Sequence, residues 1–199
     1  MSALRDVVLV DAGGTNIGSV RYALQRLGAE AALTRDAARI RAASHVILPG
    51  VGAAGPGMQR LREAGLVEVV RGLTQPVLGV CLGMQLLFER SEEGNAACLG
   101  LIPARVRRLD APGLRVPHMG WNRLQVMRVH PLLDGLPGDA YAYFVHSYAA
   151  PIGPWTLVSA DYGGDFSAVV QQGNFFGMQF HPERSADVGA RLLGNFLAL

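Results

Sequence analysis

One short stretch constrains the fold of this chain more than any other, because an apolar strand in it runs directly into a helix. The stretch extends from residue 76 to residue 88 and reads Pro-Val-Leu-Gly-Val-Cys-Leu-Gly-Met-Gln-Leu-Leu-Phe. Its first half is continuously apolar, which is typical of a buried strand, and its second half follows a helical period that predicts a helix as far as Arg90. Cys81 therefore lies on the predicted turn between the two elements.

The residues around Cys81 favour a nucleophile. Gly79 and Gly83 lack Cβ atoms where strand and helix would collide, which allows the tight, strained turn on which many hydrolases carry their nucleophile. On such a turn the helix N-terminus favours a thiolate, and free backbone N–H groups can bind an oxyanion. A lone cysteine in an apolar run is more often a packing residue, and we interpret Cys98, which lacks this setting, as structural.

Length and composition exclude several classes of protein. The 199 residues are half hydrophobic, so we expect one domain over residues 1–199. No apolar run approaches the roughly 20 residues of a membrane-spanning helix, and the first residues do not resemble a signal peptide, which predicts a cytoplasmic protein without membrane association. Two cysteines do not suggest a disulfide scaffold.

The basic residues carry further information. All 18 are arginine, which excludes a lysine Schiff base and the lysine of a Walker A phosphate loop. They are scattered, apart from Arg105, Arg107 and Arg108, and aromatic residues make up only 7% of the chain. This pattern predicts no nucleic-acid partner.

The first half of the chain alternates between strands and helices. Apolar runs predict strands at residues 7–10, 31–33, 45–49 and 77–80. Helical periodicity predicts helices over residues 17–27, 36–41 and 56–73. Such alternation predicts an α/β fold, with a doubly wound, mostly parallel sheet flanked by helices.

The second half, beyond Gly94, changes to short alternating segments that predict antiparallel strands and a smaller antiparallel sheet. An all-antiparallel flap beside the main sheet is an alternative. The predicted strands cover residues 102–109, 115–118, 124–129, 141–145, 155–159, 167–171 and 175–180. Apolar residues at 188, 192 and 196 then predict a closing helix capped by Ser185.

Two glycine-rich loops are candidate anion sites. The loop at residues 49–57 follows a predicted strand, and peptide N–H groups at Val51 or Gly52 could bind a ligand oxygen. A plain surface loop is an equal alternative. The loop containing Gly13 and Gly14 lacks the spacing of a nucleotide-binding turn, and we interpret it as a tight connection.

A thiolate nucleophile needs a base, and the base needs a group that fixes its tautomer. Of the five histidines, His181 directly follows an apolar strand, at the kind of strand end where α/β enzymes place their sites. Glu183 lies two residues later, past a proline, and can turn back to orient the imidazole. Taken alone, His-Pro-Glu could equally begin a helix.

Together these motifs resemble those of the class I, triad-type glutamine amidotransferases. The matching segments are residues 79–83 with Gln85, residues 49–52 and residues 181–185. Within the family the chain is similar to the glutaminase subunits of imidazole glycerol phosphate synthase. It carries Pro-Gly-Val-Gly where many relatives have Gly-Gly-Pro-Gly, Pro-His-Met-Gly-Trp-Asn at 117–122 and Tyr-Phe-Val-His-Ser-Tyr at 143–148. The likeness extends over the whole chain.

The resemblance implies a role for each matching residue. Cys81 would attack the side-chain amide of L-glutamine, His181 would act as base and then acid, and Glu183 would orient His181. The oxyanion hole would consist of the backbone N–H of Leu82 and a peptide of the loop at Val51 or Gly52. The resemblance also implies a set of substrate-binding residues, with backbone contacts from the last three: Gly50, Gly52, Gln85, His146, Ser147 and Tyr148.

The resemblance also implies a partner but no cofactor and no metal. In these enzymes the glutaminase forms a heterodimer with a (β/α)8 cyclase subunit, which receives ammonia through an internal tunnel in histidine biosynthesis. The implied docking face comprises Met119, Trp121, Asn122 and Arg184. The chain departs from the family pattern at residues 11–16, which read Asp-Ala-Gly-Gly-Thr-Asn, at Arg184, where lysine is common, and at Ser147, where threonine is frequent.

Other functions remain open at this stage. One is a triad glutaminase that serves another synthase, for pyridoxal phosphate, anthranilate or guanine nucleotide. Another is a cysteine hydrolase of the same fold that acts on γ-glutamyl peptides without a partner. A module without enzymatic activity is disfavoured, because all three catalytic residue types are present.

Overall fold

The structure, a computed structural model, describes residues 6–11 and 17–199. The loop with Gly13 and Gly14 lies outside the described residues. The strands are β1 (Val7–Val10), β2 (Ala31–Thr34), β3 (His45–Gly50), β4 (Val77–Cys81), β5 (Phe88–Ser91), β6 (Ala96–Ala97), β7 (Ile102–Arg108), β8 (His118–Arg123), β9 (Gln125–Val126), β10 (Tyr141–His146), β11 (Tyr148–Ala149), β12 (Thr156–Asp161), β13 (Asp165–Gln172) and β14 (Phe175–Met178). The helices are α1 (Ile17–Arg26), α2 (Ala37–Ala42), α3 (Ala54–Glu63), α4 (Val67–Arg71), α5 (Leu82–Leu86) and α6 (Ala186–Ala198).

The main sheet has the strand order β2-β1-β3-β4-β14-β13-β12-β9. Its first five strands are parallel, and the last three continue it in antiparallel fashion. Every residue of β1 and β4 is buried, as expected for parallel strands that are covered on both faces. The predicted α/β class with a mostly parallel sheet is confirmed, and the predicted strands near residues 155, 167 and 175 extend this sheet.

Two smaller sheets lie beside the main one. Strands β8 and β10 form an antiparallel pair, and β11, β7, β5 and β6 form a four-stranded sheet. The main sheet separates two apolar cores. Leu24 of α1 and Phe196 of α6 belong to one core, whereas Ile40, Leu61 and Val70 of helices α2 to α4 belong to the other. Helices therefore cover both faces of the sheet, as in a doubly wound fold.

The predicted helix after Cys81 is wrong in length, because it ends at Leu86 and residues 88–91 form β5 instead. The reason is a competing set of hydrogen bonds. The N–H of Leu99 donates to the carbonyl of Leu86 at 2.9 Å, and the N–H of Ile102 donates to that of Leu87 at 3.0 Å. These bonds turn the chain out of the helix and into pairing with β7.

Other boundaries differ for equally local reasons. The predicted helix over residues 56–73 is two helices, α3 and α4, separated at Gly65, whose φ of 67° is left-handed. The predicted strand at 115–118 is replaced by β8, which begins at His118 and pairs with β10 along its whole length. The segment 124–129 contributes only β9, because the N–H groups of Met127 and Arg128 both bond to Leu157. None of the helices described in the structure is long and apolar enough to cross a membrane.

Candidate active site

Cys81 lies at the junction of β4 and α5, on the predicted turn. Its backbone adopts φ 53° and ψ −110°, a combination that non-glycine residues rarely adopt. Such strain persists only where the surrounding structure imposes it, and it is common at functional sites. The Cys81 residue is 9% exposed, so the thiol is largely shielded from solvent.

The flanking glycines are what allow this turn. A Cβ atom on Gly79 would lie 2.5 Å from the carbonyl oxygen of Gly83, and one on Gly83 would lie 1.8 Å from that of Leu48. Both distances are far below van der Waals contact, and the atoms that would be met belong to the backbone. The predicted close approach of strand and helix on either side of Cys81 is therefore present.

His181 and Glu183 form a hydrogen-bonded pair beyond the end of β14. The Nδ1 atom of His181 lies 2.9 Å from Oε1 of Glu183, whose side chain is completely buried. A carboxylate at this distance holds the proton on Nδ1 and thereby fixes the orientation of the ring. Of the sequence-predicted triad, the base and its orienting carboxylate are thus in contact.

The charge state of His181 reflects its neighbours. Burial by itself would lower the pKa of His181, but hydrogen bonds and electrostatic interactions with Cys81 and Glu183 raise that pKa to about 10. The imidazole is therefore protonated at neutral pH. A protonated imidazole beside a cysteine favours the thiolate, the form in which a cysteine is most reactive.

A buried serine holds the His181 turn in place. The hydroxyl of Ser185 donates to the carbonyl of His181 at 2.7 Å and accepts the N–H of Tyr143 at 3.0 Å, and the N–H of His181 donates to the carbonyl of Tyr143 at 3.0 Å. The prediction that the Ser185 side chain caps α6 is wrong, because the hydroxyl makes these bonds instead. Helix α6 also packs closely on the turn, since a Cβ on Gly189 would lie 1.9 Å from the carbonyl oxygen of Pro182.

The predicted oxyanion loop lies beside Cys81. Gly50 is paired with Cys81 between β3 and β4, so Val51 and Gly52 directly follow the residue beside Cys81. Gly52 has φ 93°, in the left-handed region. Leu82 is the first residue of α5, where backbone N–H groups lack a partner within the helix. The loop and the start of α5 thus both adjoin the backbone of Cys81.

The predicted substrate-binding residues are also close to one another. The amide nitrogen of Gln85 donates to the carbonyl of Tyr148 at 2.8 Å, and Nδ1 of His146 donates to the same carbonyl at 2.9 Å. The carbonyl of Ser147 accepts the N–H of Leu109. The structure therefore brings Gln85 to the segment 146–148 and uses its amide nitrogen within the protein.

Comparison with known proteins identifies the family. Residues 8–198 match the family model of glutamine amidotransferase class-I. The chain belongs to this family. The match covers nearly the whole chain and includes Cys81, His181 and Glu183.

Curated relatives within this family share one name. The imidazole glycerol phosphate synthase subunit HisH of Xanthomonas euvesicatoria pv. vesicatoria (strain 85-10) is 61% identical over 197 residues, and the alignment covers 98% of each chain. The subunit of the same name from Xylella fastidiosa (strain Temecula1) is 58% identical over the same length and coverage. The amidotransferase is thus similar to proteins of this name from end to end.

Solved structures agree on the fold. A crystal structure of a glutamine amidotransferase superposes with a TM-score of 0.75 and 27% identity, covering 96% of this chain and 97% of that chain. The structure of PurLQS from Thermotoga maritima gives a TM-score of 0.78 at 20% identity, covering 98% of each chain. The second likeness supports the amidotransferase fold alone.

Sequence reasoning missed one residue that contacts Cys81. Gln179 is completely buried, and its Nε2 atom lies 3.9 Å from Sγ of Cys81. Its Oε1 atom accepts a hydrogen bond from Nε2 of Gln85 at 2.9 Å. A signal was present in the sequence, because Gln179 is the one polar side chain in the run Phe-Phe-Gly-Met-Gln-Phe.

A buried histidine pair was missed as well. Nδ1 of His118 lies 3.0 Å from Nε2 of His146, and the His118 ring is stacked against Phe144 and Tyr162. Burial lowers the pKa of His118 to about 4, and burial together with the charges of neighbouring histidines lowers that of His146 to about 3. Both rings are therefore neutral at neutral pH and serve as directed hydrogen-bonding groups.

The four residues of the predicted docking face differ in exposure. Met119 and Trp121, on β8, are 63% and 54% exposed, and Trp121 packs edge-on against Tyr143. Arg184 is exposed on the turn that carries Glu183. Asn122 is only half-exposed, and its amide donates to the carbonyl of Asp161 at 2.8 Å.

Cys98 contrasts with Cys81. It is buried, and burial raises the pKa of its thiol to about 11, so it is protonated at neutral pH. This agrees with its interpretation as a structural residue.

Within residues 6–11 and 17–199, no cluster of three or more His, Cys, Asp or Glu side chains could hold a metal ion.

Proposed function

We propose that this chain is the glutaminase subunit of imidazole glycerol phosphate synthase, acting as one catalytic unit over residues 1–199. It hydrolyses L-glutamine to glutamate and ammonia and delivers the ammonia to a (β/α)8 cyclase subunit in the histidine biosynthesis of the cytoplasm. The observation that carries the proposal is the 61% identity, over 98% of both chains, to a relative named as a subunit of this synthase.

The first half-reaction uses the ion pair at Cys81 and His181. The thiolate attacks the side-chain amide carbon of glutamine, and the carbonyl oxygen becomes an oxyanion. His181 then transfers its proton to the departing nitrogen, which leaves as ammonia, and a thioester remains on Cys81. The pKa of about 10 supports this role, because the imidazole enters the reaction already protonated.

The second half-reaction returns the enzyme to its starting state. His181, now neutral at the atom that gave up its proton, accepts a proton from water as the water attacks the thioester. Glutamate leaves, and the thiolate and imidazolium are restored. Glu183 holds Nδ1 of His181 through the 2.9 Å hydrogen bond during both steps, which keeps the other ring nitrogen available for both transfers.

The oxyanion is held by backbone donors. The N–H of Leu82 lies at the start of α5, directly after the nucleophile, and a peptide of the loop at Val51 or Gly52 supplies the second donor. Glycine at 50 permits that loop to approach the turn, since a Cβ at Gly50 would lie 2.5 Å from the nitrogen of Gly83, and Gly52 permits a left-handed φ of 93°. Donors that are fixed before the reaction stabilise charge that develops in the transition state.

Gly50, Gly52, Gln85 and the backbone of residues 146–148 recognise the glutamine. The cyclase docks on the exposed residues of β8 and on Arg184, where Met119 and Trp121 offer apolar contact area. An indole that is half-exposed and supported from one side by Tyr143 is suited to anchor an interface. No cofactor or metal takes part in the proposed reaction.

The decisive experiment combines the purified chain with the cyclase from the same genome and measures glutamine-dependent formation of imidazole glycerol phosphate. We expect slow glutamine hydrolysis by the chain alone and strong stimulation when the cyclase holds a substrate analogue. Cys81→Ala should abolish the use of glutamine but leave ammonia-dependent synthesis by the complex intact. Cys98→Ala is the matched control and should retain glutamine use.

The outcomes separate this function from its alternatives. High glutaminase activity without a partner, unaffected by the cyclase, would favour a hydrolase that acts alone. Stimulation by the synthase of another pathway would favour a glutaminase of that synthase. Glutamine use that survives Cys81→Ala would overturn the assignment of the nucleophile.

A further inference from the structure

The side chain of Gln179 connects the nucleophile to the glutamine-binding segment. It projects from the residue that follows β14 and is completely buried. One end of its amide lies 3.9 Å from Sγ of Cys81, and the other end lies 2.9 Å from Nε2 of Gln85. Its backbone N–H donates to the carbonyl of Ala168 at 2.9 Å, which fixes the position of the residue in the sheet.

The orientation of this amide follows from the neighbouring acceptors. The carbonyl of Tyr148 can only accept hydrogen bonds, so the Gln85 atom at 2.8 Å from it must be the NH2 group. That same NH2 group faces Gln179, which must therefore present its oxygen. The NH2 group of Gln179 is left to point at the sulfur of Cys81.

The histidine pair fixes the start of this chain of hydrogen bonds. His146 donates from Nδ1 to the carbonyl of Tyr148, so its Nε2 atom must accept, and His118 donates to it from Nδ1. Both rings are buried and neutral, which leaves a single arrangement of their protons. The direction of every bond from His118 to Cys81 is therefore determined by hydrogen-bonding chemistry.

We propose that Gln179 is a further catalytic residue, whose amide N–H donates to the Cys81 thiolate, stabilises its charge and positions it for attack. This inference rests on the proposed role of Cys81 as the nucleophile. The donated hydrogen bond involves no transfer of a proton, since the amide keeps its hydrogen throughout. A donor to a charged group stabilises it more strongly than a donor to a neutral one.

Burial makes this role specific. The sulfur is largely shielded from water, so a negative charge that forms on it depends on groups of the protein for its stabilisation. His181 supplies one such group and must give up its proton during the reaction. Gln179 supplies a donor that stays in place after His181 has become neutral, so it can also stabilise the sulfur when the thioester is hydrolysed.

The experiment measures the rate at which iodoacetamide alkylates Cys81 between pH 6 and pH 10, with mass spectrometry to locate the modified cysteine. All variants carry Cys98→Ala so that Cys81 is the single thiol. Gln179→Met removes the donor at similar volume, and Gln179→Asn keeps an amide that is too short to span Gln85 and Cys81. Gln171→Met is the matched control, because Gln171 lies on β13 and its amide donates to the carbonyl of Gly173, away from the site.

At pH 7 we expect Gln179→Met and Gln179→Asn to be alkylated at least roughly tenfold more slowly than the reference, with a similar loss in kcat for glutamine. The deficit should shrink toward pH 10, where the thiolate forms without the donor. Gln171→Met should match the reference at every pH.

Two results would overturn the inference. One is alkylation of the folded variants at the reference rate at pH 7, and the other is a deficit that is the same at every pH, which would indicate a structural role alone. If neither variant folds, the test uses the side-chain amide resonances of Gln179 in the unaltered protein. These resonances should shift over the same pH range in which the alkylation of Cys81 becomes faster. Resonances that do not change with pH would refute the proposal. The failure of the proposed function would be seen separately, as glutamine hydrolysis that persists in Cys81→Ala.

Discussion

The Nδ1 atom of His181 and Oε1 of Glu183 are 2.9 Å apart, and the carboxylate that holds the imidazole is completely shielded from solvent. An ionised carboxylate in such a place is costly unless it is matched by a positive partner. The protonated imidazole is that partner, because hydrogen bonds with Cys81 and Glu183 outweigh the effect of burial and raise the pKa of His181 to about 10. His181 and Glu183 therefore act as one unit of charge.

Glu183→Gln tests this unit. The amide has the same shape but no charge, and its NH2 group can turn the imidazole into the wrong tautomer. Loss of the orienting carboxylate in comparable triads lowers kcat by several orders of magnitude, and we expect a loss on the order of 10²- to 10⁴-fold here. The measurement is steady-state glutamine hydrolysis by the complex with the cyclase.

Glu68→Gln is the control for this variant, because Glu68 is exposed and pairs with Arg71 at the surface. It should change kcat little. Activity of Glu183→Gln within a few-fold of the unaltered protein would contradict the proposed role of the carboxylate.

Gly189 and Gly194 on α6 offer a matched pair of substitutions. A Cβ at Gly189 would meet the carbonyl oxygen of Pro182 at 1.9 Å, whereas a Cβ at Gly194 would meet no atom of the described residues within 4 Å. We expect Gly189→Ala to destabilise the protein by about 3 kcal/mol and to displace the turn that carries His181 and Glu183. Gly194→Ala should instead stabilise it by about 0.5–1 kcal/mol, because alanine is the better helix former.

Urea unfolding and glutaminase assays check this prediction. Equal effects of the two substitutions on the free energy of unfolding would show that α6 does not hold the catalytic turn. A Gly189→Ala protein that is destabilised but fully active would show that the turn adjusts without loss of function.

The sequence predicted those parts of the site that depend on local order. The change from an apolar run to a helical period, with glycines on both sides of Cys81, is visible in a single stretch of residues, and so is a histidine directly after a strand. Gln179, the bond from Tyr143 to the hydroxyl of Ser185, and the contact between His118 and His146 were missed because the partners lie far apart in the chain. Gln179, for example, contacts residues more than 90 positions distant.

The same difference between local and distant interactions explains where the predicted fold was wrong. The helix after Cys81 has a helical period beyond Leu86, but the loop at residues 99–102 takes its last carbonyls as acceptors. The hydroxyl of Ser185 has the right position for a helix cap, yet it bonds to His181 and Tyr143 from another element. In both cases tertiary hydrogen bonds replace the local ones that the sequence pattern favours.

The buried histidines predict a loss of stability in mild acid. The folded-state pKa values of about 4 for His118 and about 3 for His146 lie below the unfolded value of 6.5, so the unfolded chain binds more protons between these limits. The stability they contribute is present above pH 6.5 and is lost as the pH falls toward 4. The slope is at most about 1.4 kcal/mol per pH unit for each histidine.

Urea unfolding at pH 7, 6 and 5 measures this slope, and the double variant His118→Phe, His146→Phe should flatten it. His181 does not obscure the effect, because its raised pKa gives a contribution that is constant below pH 6.5 and is lost only as the pH rises through about 10. An unchanged slope in the double variant would place the acid sensitivity elsewhere.

The last prediction concerns the exposed indole of Trp121. It is 54% exposed and packs against Tyr143 on the neighbouring strand, so it can be removed with little effect on the core. If it anchors the cyclase, Trp121→Ala should weaken binding by about 2 kcal/mol, or roughly thirtyfold in Kd, measured by isothermal titration calorimetry.

Leu33→Ala is the control, because Leu33 is also an exposed apolar residue but lies on β2, at the opposite edge of the main sheet from β9. The unstimulated hydrolysis of glutamine by the variant chain should remain at its usual level, since Trp121 belongs to neither the triad nor the oxyanion loop. Unchanged affinity in Trp121→Ala, or equal weakening in Leu33→Ala, would show that the cyclase docks on another surface.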